Sequence, residues 1–441
     1  MNSAPKITIE EYRQRRRRVF DQMAENSIAV LPTATEKVRS ADGYYPFQAD
    51  RDFYYLTGFN EPEAIAVLIK AKENRFILFN RAKNPQQEQW LGHFSGQSGA
   101  INDYAADASY PYQEFEQRLP ELLYDKEHLY FPWKSDNTIQ NILMRHIDAI
   151  KQKSRFGLIA PTTTHNLAPI IHELRLFKSQ AEIEMMAYAA EISSKAHLAM
   201  MRACRPGKFE YQLQAELSYV LQQHGCLQYA YDPIIAGAEN ACTLHYCRNG
   251  SLLNDGDLVL IDAAGEYHYY AADITRTFPV NGVFSAQQKQ LYTIVLQAQT
   301  AGMRCLKPGY THHDFNQAIA KTITEGLLDL GILSGDAETL LAEKAYRAFY
   351  PHSGGHWLGL DVHDVGDYHL QTKAREFMPG MVISNEPGIY IPHGQHNVDA
   401  QWQGIGIRIE DMVVITETEP RVLSANLPKT VTEIEAFMAN Q

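Results

Sequence analysis

Hydrophobic and polar positions along this chain switch between two periods. Around Asp257-Leu258-Val259-Leu260-Ile261-Asp262 the period is two: Leu258, Leu260 and Asp262 fall on one strand face, Val259 and Ile261 on the other. Shorter apolar runs at 27–31, 64–69 and 75–80 predict further strands, and helical spacing predicts helices over 113–124 and 138–151. Thr8 opens a helix that carries Glu10, Glu11 and the run Arg15 to Arg18, read as a solvated face. These elements interleave without a phosphate-binding glycine loop, which predicts a small α/β domain. Ala160-Pro161-Thr162-Thr163-Thr164 is polar and loop-like, so a linker is expected between 160 and 178. The domains are taken as 1–172 and 173–441.

The second half repeats itself. Ser179-Gln180-Ala181-Glu182 is a capping box opening a long helix that ends at Cys204-Arg205-Pro206-Gly207, and a second helix over 209–224 stops at Gly225. About a hundred residues later, Ser285-Ala286-Gln287-Gln288 opens another, ending at Cys305-Leu306-Lys307-Pro308-Gly309, and a further helix runs to Gly331. Strands follow each pair. Asp262 comes six positions after Gly256, and Glu386 six after Gly380. Each is followed by a return strand with a second acid, Asp273 in one case and Glu410 in the other, and Asp273 is expected opposite Asp262. Two such units about a pseudo-twofold axis would bring these carboxylates to one centre.

Buried like charges need a shared proton or a cation. In Gly404-Ile405-Gly406-Ile407-Arg408-Ile409-Glu410 the isoleucines form one face, while the glycines are expected to leave open volume beside Arg408 and Glu410. His352-Ser353-Gly354-Gly355-His356-Trp357-Leu358-Gly359-Leu360-Asp361-Val362-His363 sets three histidines among glycines, the pattern of a site. Carboxylates with one imidazole favour Mn²⁺ or Mg²⁺ over the cysteine-rich sites that select zinc. Four negative charges balance two divalent ions, which about 3.5–4 Å apart can hold a bridging hydroxide. The helical zinc-peptidase motif is absent, because His172-Glu173 is followed by Leu176 where a second His is needed.

Composition narrows the class. At 441 residues the chain exceeds one ordinary core, and 45% hydrophobic with 21% charged residues is the balance of a soluble globular protein. A net charge of −12 argues against nucleic acid as partner. No apolar run is long enough for a membrane span and no secretory signal is visible. Cys204, Cys226, Cys242, Cys247 and Cys305 lack zinc-site spacing and suit reduced thiols in a cytoplasm.

The set Asp262, Asp273, His356, Glu386 and Glu410 resembles the five-ligand pattern of the pita-bread metallopeptidases, and within them the bacterial aminopeptidase P (Xaa-Pro aminopeptidase) family. The resemblance extends over Arg39-Ser40-Ala41-Asp42, Phe53 to Ala64, His172 to Ser179, Asp273 to Val280 and His356 to Gly366. It implies an α+β chain, with a creatinase-like α/β N-terminal domain before a pita-bread catalytic domain that holds two Mn²⁺ ions. Asp262 would chelate one ion, Asp273 and Glu410 would bridge both, and His356 with Glu386 would complete the other. A bridging hydroxide would attack the Xaa-Pro bond, Glu386 handling its proton. The resemblance gives His245, His352 and His363 outer roles at the substrate, links Tyr390 and Arg408 to Asp262, and makes Tyr231 and Tyr368 pocket aromatics. Asp42, Trp90 and Arg155 are the N-terminal domain's residues of interest, structural by themselves and candidate substrate contacts beside the resemblance, which has Trp90 reaching a neighbouring subunit and so implies a homo-oligomer (a dimer or, as a dimer of dimers, a tetramer).

The chain departs from the family pattern at Ser353 and Gly355, at Ala264 in place of a glycine, and by one extra residue between Tyr368 and Pro379, with Lys373 about where an arginine is expected. A prolidase on the same metal site, with Arg408 or Lys373 holding the dipeptide carboxylate, is the alternative activity. A non-catalytic binding protein and creatine amidinohydrolase are disfavoured by the intact ligand set.

Overall fold

The first helix begins where its cap dictates: the Thr8 hydroxyl accepts from Glu11 N at 3.2 Å, and the helix runs Ile9–Gln22. The computed structural model describes residues 4–134 and 136–440. Two compact units divide it: Ile7–Arg175, and the chain from Leu176 onward together with the residues before Ile7.

In the first unit a six-stranded mixed sheet has the order Ala108–Pro111, Arg75–Asn80, Ile65–Lys70, Ser27–Pro32, His128–Phe131, Thr163–Asn166. Ser27–Pro32 pairs antiparallel with Ile65–Lys70 and parallel with His128–Phe131. Val30, Val67, Phe79 and Leu129 on the sheet bury against Leu119, Leu143 and Ile147 of the helices Phe115–Leu123 and Thr138–Lys151. The expected α/β domain is present.

Two expectations fail here. Arg15 and Arg16 are not solvated; they are almost fully buried, and only Arg17 and Arg18 face water. Arg15 donates to Tyr55 O at 3.1 Å and Arg16 to Leu56 O at 2.8 Å, at the end of the helix Arg51–Thr57, where free carbonyls attract cations. The expected linker over 160–178 also contains structure. Thr163–Asn166 joins the sheet edge in parallel with His128–Phe131, and Ala168–Leu176 is a helix. The boundary expected after residue 172 falls inside that helix, near whose end the two units part.

The second unit carries the repeat. Helices Gln180–Ala203 and Glu210–Gln223 pack together, as do Ala286–Met303 and His312–Asp329. The Ser179 and Ser285 capping boxes form as expected. Leu258–Asp262 lies between Ile234–Gly237 and Thr275–Pro279, antiparallel to both. Asp262 pairs with Thr275, so Asp273 stands two residues before the position expected of it. The intervening chain forms its own hairpin, Gly265–Tyr267 with Tyr270–Ala271, turned by His268 and Tyr269 at φ 46° and 70°. The other unit matches: Val382–Asn385 pairs with Asp411–Val414, and Gly388–Ile391 with Ile405–Arg408. In each, one acid follows the outgoing strand or ends it, and the other precedes the returning one.

The glycines beside Arg408 leave no open volume. A Cβ on Gly406 would come within 2.5 Å of the Ala241 backbone, and one on Gly404 within 2.6 Å of the His393 ring. They admit close backbone packing instead. Ala264 shows no positive φ, so an alanine there adopts its backbone without strain. Among the described residues no helix is long and apolar enough to cross a membrane.

Candidate metal centre

The strand ends converge on one cavity of about 610 Å³, lined by Asp262, Asp273, His356, Glu386 and Glu410 together with Tyr231, His245, His352, His363 and Arg408. Asp273, His356 and Glu410 each present a ligand atom within 4.8 Å of the others. His356 Nε2 lies 3.4 Å from both Asp273 Oδ2 and Glu386 Oε1.

Three of the four acids are held from behind. Asp262 accepts from Tyr231 Oη at 2.5 Å on one oxygen and from Arg408 Nη2 at 2.6 Å on the other. Arg408 Nη1 donates to Tyr390 Oη at 2.9 Å, and Tyr390 Oη meets His352 Nε2 at 2.8 Å. Glu410 Oε2 accepts from the Thr275 hydroxyl at 2.7 Å, and Arg408 Nε donates to the same hydroxyl at 3.3 Å. Ser384 Oγ donates to Glu386 Oε1 at 3.2 Å and accepts from His356 N at 3.0 Å, so one hydroxyl joins the His356 backbone to the Glu386 side chain.

The charge state of this cluster asks for cations. Burial, and then the mutual repulsion of the acids, pushes Asp262 up and Glu410 well above the usual carboxylate range. Burial lifts Glu386 to about 7, against the pull of His356. Burial would lower His356, but its contact with Asp273 and the Glu386 charge raise it to about 9. Hard oxygen donors with one imidazole, buried where they otherwise hold protons, fit divalent ions.

The outer groups take distinct places. His245 and His363 are exposed on the cavity wall, and the His363 ring lies 4.0 Å from that of His356. Burial and the Arg408 charge hold His352 down to about 4. Tyr368 does not line the cavity: its hydroxyl accepts from Trp357 N at 3.0 Å, and its ring stacks on the Trp357 indole. In the first unit, Asp42 is exposed in the turn between Val38–Ser40 and Gly43–Tyr44. Trp90 is 86% exposed in the helix Pro85–Leu91, and the exposed Arg155 lies over the Phe156 ring at 4.8 Å.

Residues 184–417 match the model of metallopeptidase family M24 and residues 12–130 that of the aminopeptidase P N-terminal domain. The chain belongs to metallopeptidase family M24. It is 42% identical over 434 residues to an Xaa-Pro aminopeptidase of Escherichia coli, covering 98% of each chain. Its structure is similar to that of the Pseudomonas aeruginosa aminopeptidase PepP, with TM-score 0.97, 44% identity and 99% of each chain covered. It is also similar to zinc-substituted E. coli aminopeptidase P in complex with product, with TM-score 0.96, 42% identity and 99% of each chain covered. The expected α+β architecture, an aminopeptidase P N-terminal domain before a pita-bread domain, is therefore the fold of this family member.

Thr275, Ser384 and Glu210 were not found from sequence. A signal existed for the first two: each lies two residues from an acid, Asp273 or Glu386, and so shares its face in extended chain. Glu210 gave none. It is fully buried and accepts from Gly237 N, Asn240 Nδ2, Tyr246 Oη and Ser251 N, gathering the segment that carries His245.

Proposed function

We propose that this chain is a metal-dependent Xaa-Pro aminopeptidase, releasing the first residue of peptides that carry proline second. The observation that carries the reading is the intact set Asp262, Asp273, His356, Glu386 and Glu410 on one cavity, in a chain similar along its length to such enzymes.

These five residues would hold two divalent ions, and the oxygen-rich donor set supports Mn²⁺. Bound cations supply Lewis acidity, polarising the scissile carbonyl and lowering the pKa of water. Glu386, on the cavity beside His356, takes the proton of the attacking water and delivers it to the prolyl nitrogen as the C–N bond breaks. His245 and His363, on the wall, donate to the carbonyl oxygen as it gains charge. The Arg408–Tyr390–His352 chain and the Tyr231 hydroxyl fix Asp262 in place and favour its ionised form against the burial that opposes it.

Cleaving only dipeptides would need a cation for the free carboxylate. The Arg408 guanidinium is committed to Asp262 and Tyr390, and among the described residues the cavity wall holds no lysine. Lys373 is exposed on the hairpin His369–Leu370 with Lys373–Ala374. This favours longer peptides over the prolidase reading.

The finer attributes belong to the same proposal: catalysis by the segment 173–441, substrate contacts from Asp42, Trp90 and Arg155 of 1–172, a homo-oligomer (dimer or tetramer) and a cytoplasmic setting. The exposure of Trp90 supports a partner surface, and thiols free of disulfides among the described residues support a reducing compartment. The test is hydrolysis of an Xaa-Pro-Xaa tripeptide beside the Xaa-Pro dipeptide, with Mn²⁺ and with a chelator. Mn²⁺-dependent release of the first residue from the tripeptide is expected, and preference for the dipeptide would make the enzyme a prolidase.

A further inference from the structure

Between His352 and His356 the chain reads Ser353-Gly354-Gly355. This short loop carries no repetitive hydrogen bonding of its own, yet it sets the spacing of a cavity-wall histidine and a ligand. Its backbone groups are taken up by one turn of the helix His312–Asp329. Asn316 Oδ1 accepts from Gly354 N at 2.7 Å and from Ser353 Oγ at 3.1 Å. Because Gly354 N can only donate, the Asn316 amide is oriented with its oxygen toward the loop. Its Nδ2 then points back to His312, donating to His312 O at 2.7 Å and to His312 Nδ1 at 3.1 Å. With Nδ1 accepting, the proton of a neutral ring sits on Nε2, which donates to Gly355 O at 2.8 Å. All four atoms agree on one tautomer and one amide orientation.

The clamp reaches the site through the backbone. Gly354 O accepts from Glu386 N at 2.8 Å, and His356 N bonds Ser384 Oγ at 3.0 Å. A Cβ on Gly355 would overlap the Ser384 carbonyl, and one on Gly354 the Ile319 side chain, so glycines let the loop press against both the strand and the helix. The His312 ring is further fixed beside the Tyr368 ring, 4.5 Å between centroids. Tyr368 thereby acts behind the wall, holding Trp357 N and the imidazole of the clamp.

We propose that His312 and Asn316 are positioning residues of the metal centre, acting through Ser353-Gly354-Gly355 to set His356 and Glu386. The rate consequence rests on the aminopeptidase reading; the metal-binding consequence rests on the ligand set alone. Outer hydrogen bonds of this kind are worth about 10- to 100-fold in metal affinity or activity.

The experiment titrates Mn²⁺ calorimetrically into metal-free full-length protein, followed by kcat and KM on an Xaa-Pro-Xaa peptide and by thermal unfolding. His312→Phe keeps the ring against Tyr368 and removes the donor; His312→Gln restores a donor near the Nε2 position. Asn316→Leu removes both contacts, while Asn316→Asp keeps the acceptor. The expected result is about 10- to 100-fold weaker Mn²⁺ binding and lower kcat with little change in KM for the Phe and Leu variants, and substantial recovery in Gln and Asp. Lower thermal stability with unaltered Mn²⁺ affinity of the folded protein would overturn the proposal, as would equal losses in the Phe and Gln variants. Should the helix variants not fold, Ser353→Ala at an exposed position decides it: unchanged Mn²⁺ affinity overturns it, and weakened affinity supports it. If wild type binds Mn²⁺ but cleaves no peptide, the aminopeptidase reading fails while the clamp is still tested by affinity.

Discussion

Arg408 Nη2 donates to Asp262 Oδ2 over 2.6 Å, deep enough that both side chains are largely shielded from water. Tyr390 and Thr275 take two more of the guanidinium donors, so one cation serves the acid of the first strand unit, the hydroxyl behind Glu410 and the path to His352. A lysine offers a point charge and cannot reproduce this fork. Arg408→Lys is therefore expected to cost about 10- to 100-fold in metal affinity and in kcat/KM. Metal titration of the purified variant beside peptide hydrolysis checks it.

His363 and Glu410 share the cavity but face it differently, one exposed on the wall and the other buried among the acids. His363→Ala is expected to lower kcat by about 100- to 1,000-fold, the usual cost of losing one donor to a developing oxyanion, while the bound metal stays. Glu410→Ala is expected to lose metal as well as activity. Metal content by elemental analysis separates the two; metal loss from His363→Ala would move that histidine among the ligands.

Glu210 is a buried acceptor with donors on both oxygens, and Tyr246 among them adjoins His245. Glu210→Gln turns an amide NH₂ toward donors that then lack an acceptor, a loss of about 1–3 kcal/mol. Denaturant unfolding should show that loss, and kcat should fall as the His245 segment loosens, with Mn²⁺ affinity unchanged. Wild-type stability in this variant would remove Glu210 from its structural role.

Asp52 gives the acid side of the stability profile. Burial alone would raise its pKa, but the His172 contact at 3.1 Å and the Arg175 charge at 2.7 Å turn it below the ordinary value. A depressed folded pKa stabilises above the unfolded value of about 4 and loses that contribution as pH falls through the folded one. Wild type should thus lose stability on acidification below about pH 4, more steeply than Asp52→Asn. At neutral pH that variant should be about 1.5–3 kcal/mol less stable, because the hydrogen bond from Arg175 Nη1 loses its charged carboxylate. Unfolding curves across this range test both statements; superimposable pH profiles would contradict them.

Locally encoded features were legible from the order of residues. Ser179 with Glu182 and Ser285 with Gln288 close their capping boxes within a single turn, and Leu258–Asp262 shows its strand period over five residues, because the partners lie a few positions apart. The four acids could be picked out for the same reason: the unit that bears them is repeated, and each acid ends or precedes a readable strand.

What only the tertiary structure decided involves partners distant in sequence. Asp262 pairs with Thr275 because an inserted hairpin takes up the length that a simple turn was expected to fill. Arg15 and Arg16 look like a surface run until the helix Arg51–Thr57 brings its carbonyl end to them, and Gly406 looks like open space until the Ala241 backbone fills it. His312 and Asn316 are ordinary polar helix residues in the sequence; their meaning comes from Gly354 and Gly355, some forty positions on. Hydrogen bonds across such separations leave no period or spacing behind, since backbone amides and carbonyls are present at nearly every residue and only folding selects which of them a side chain meets.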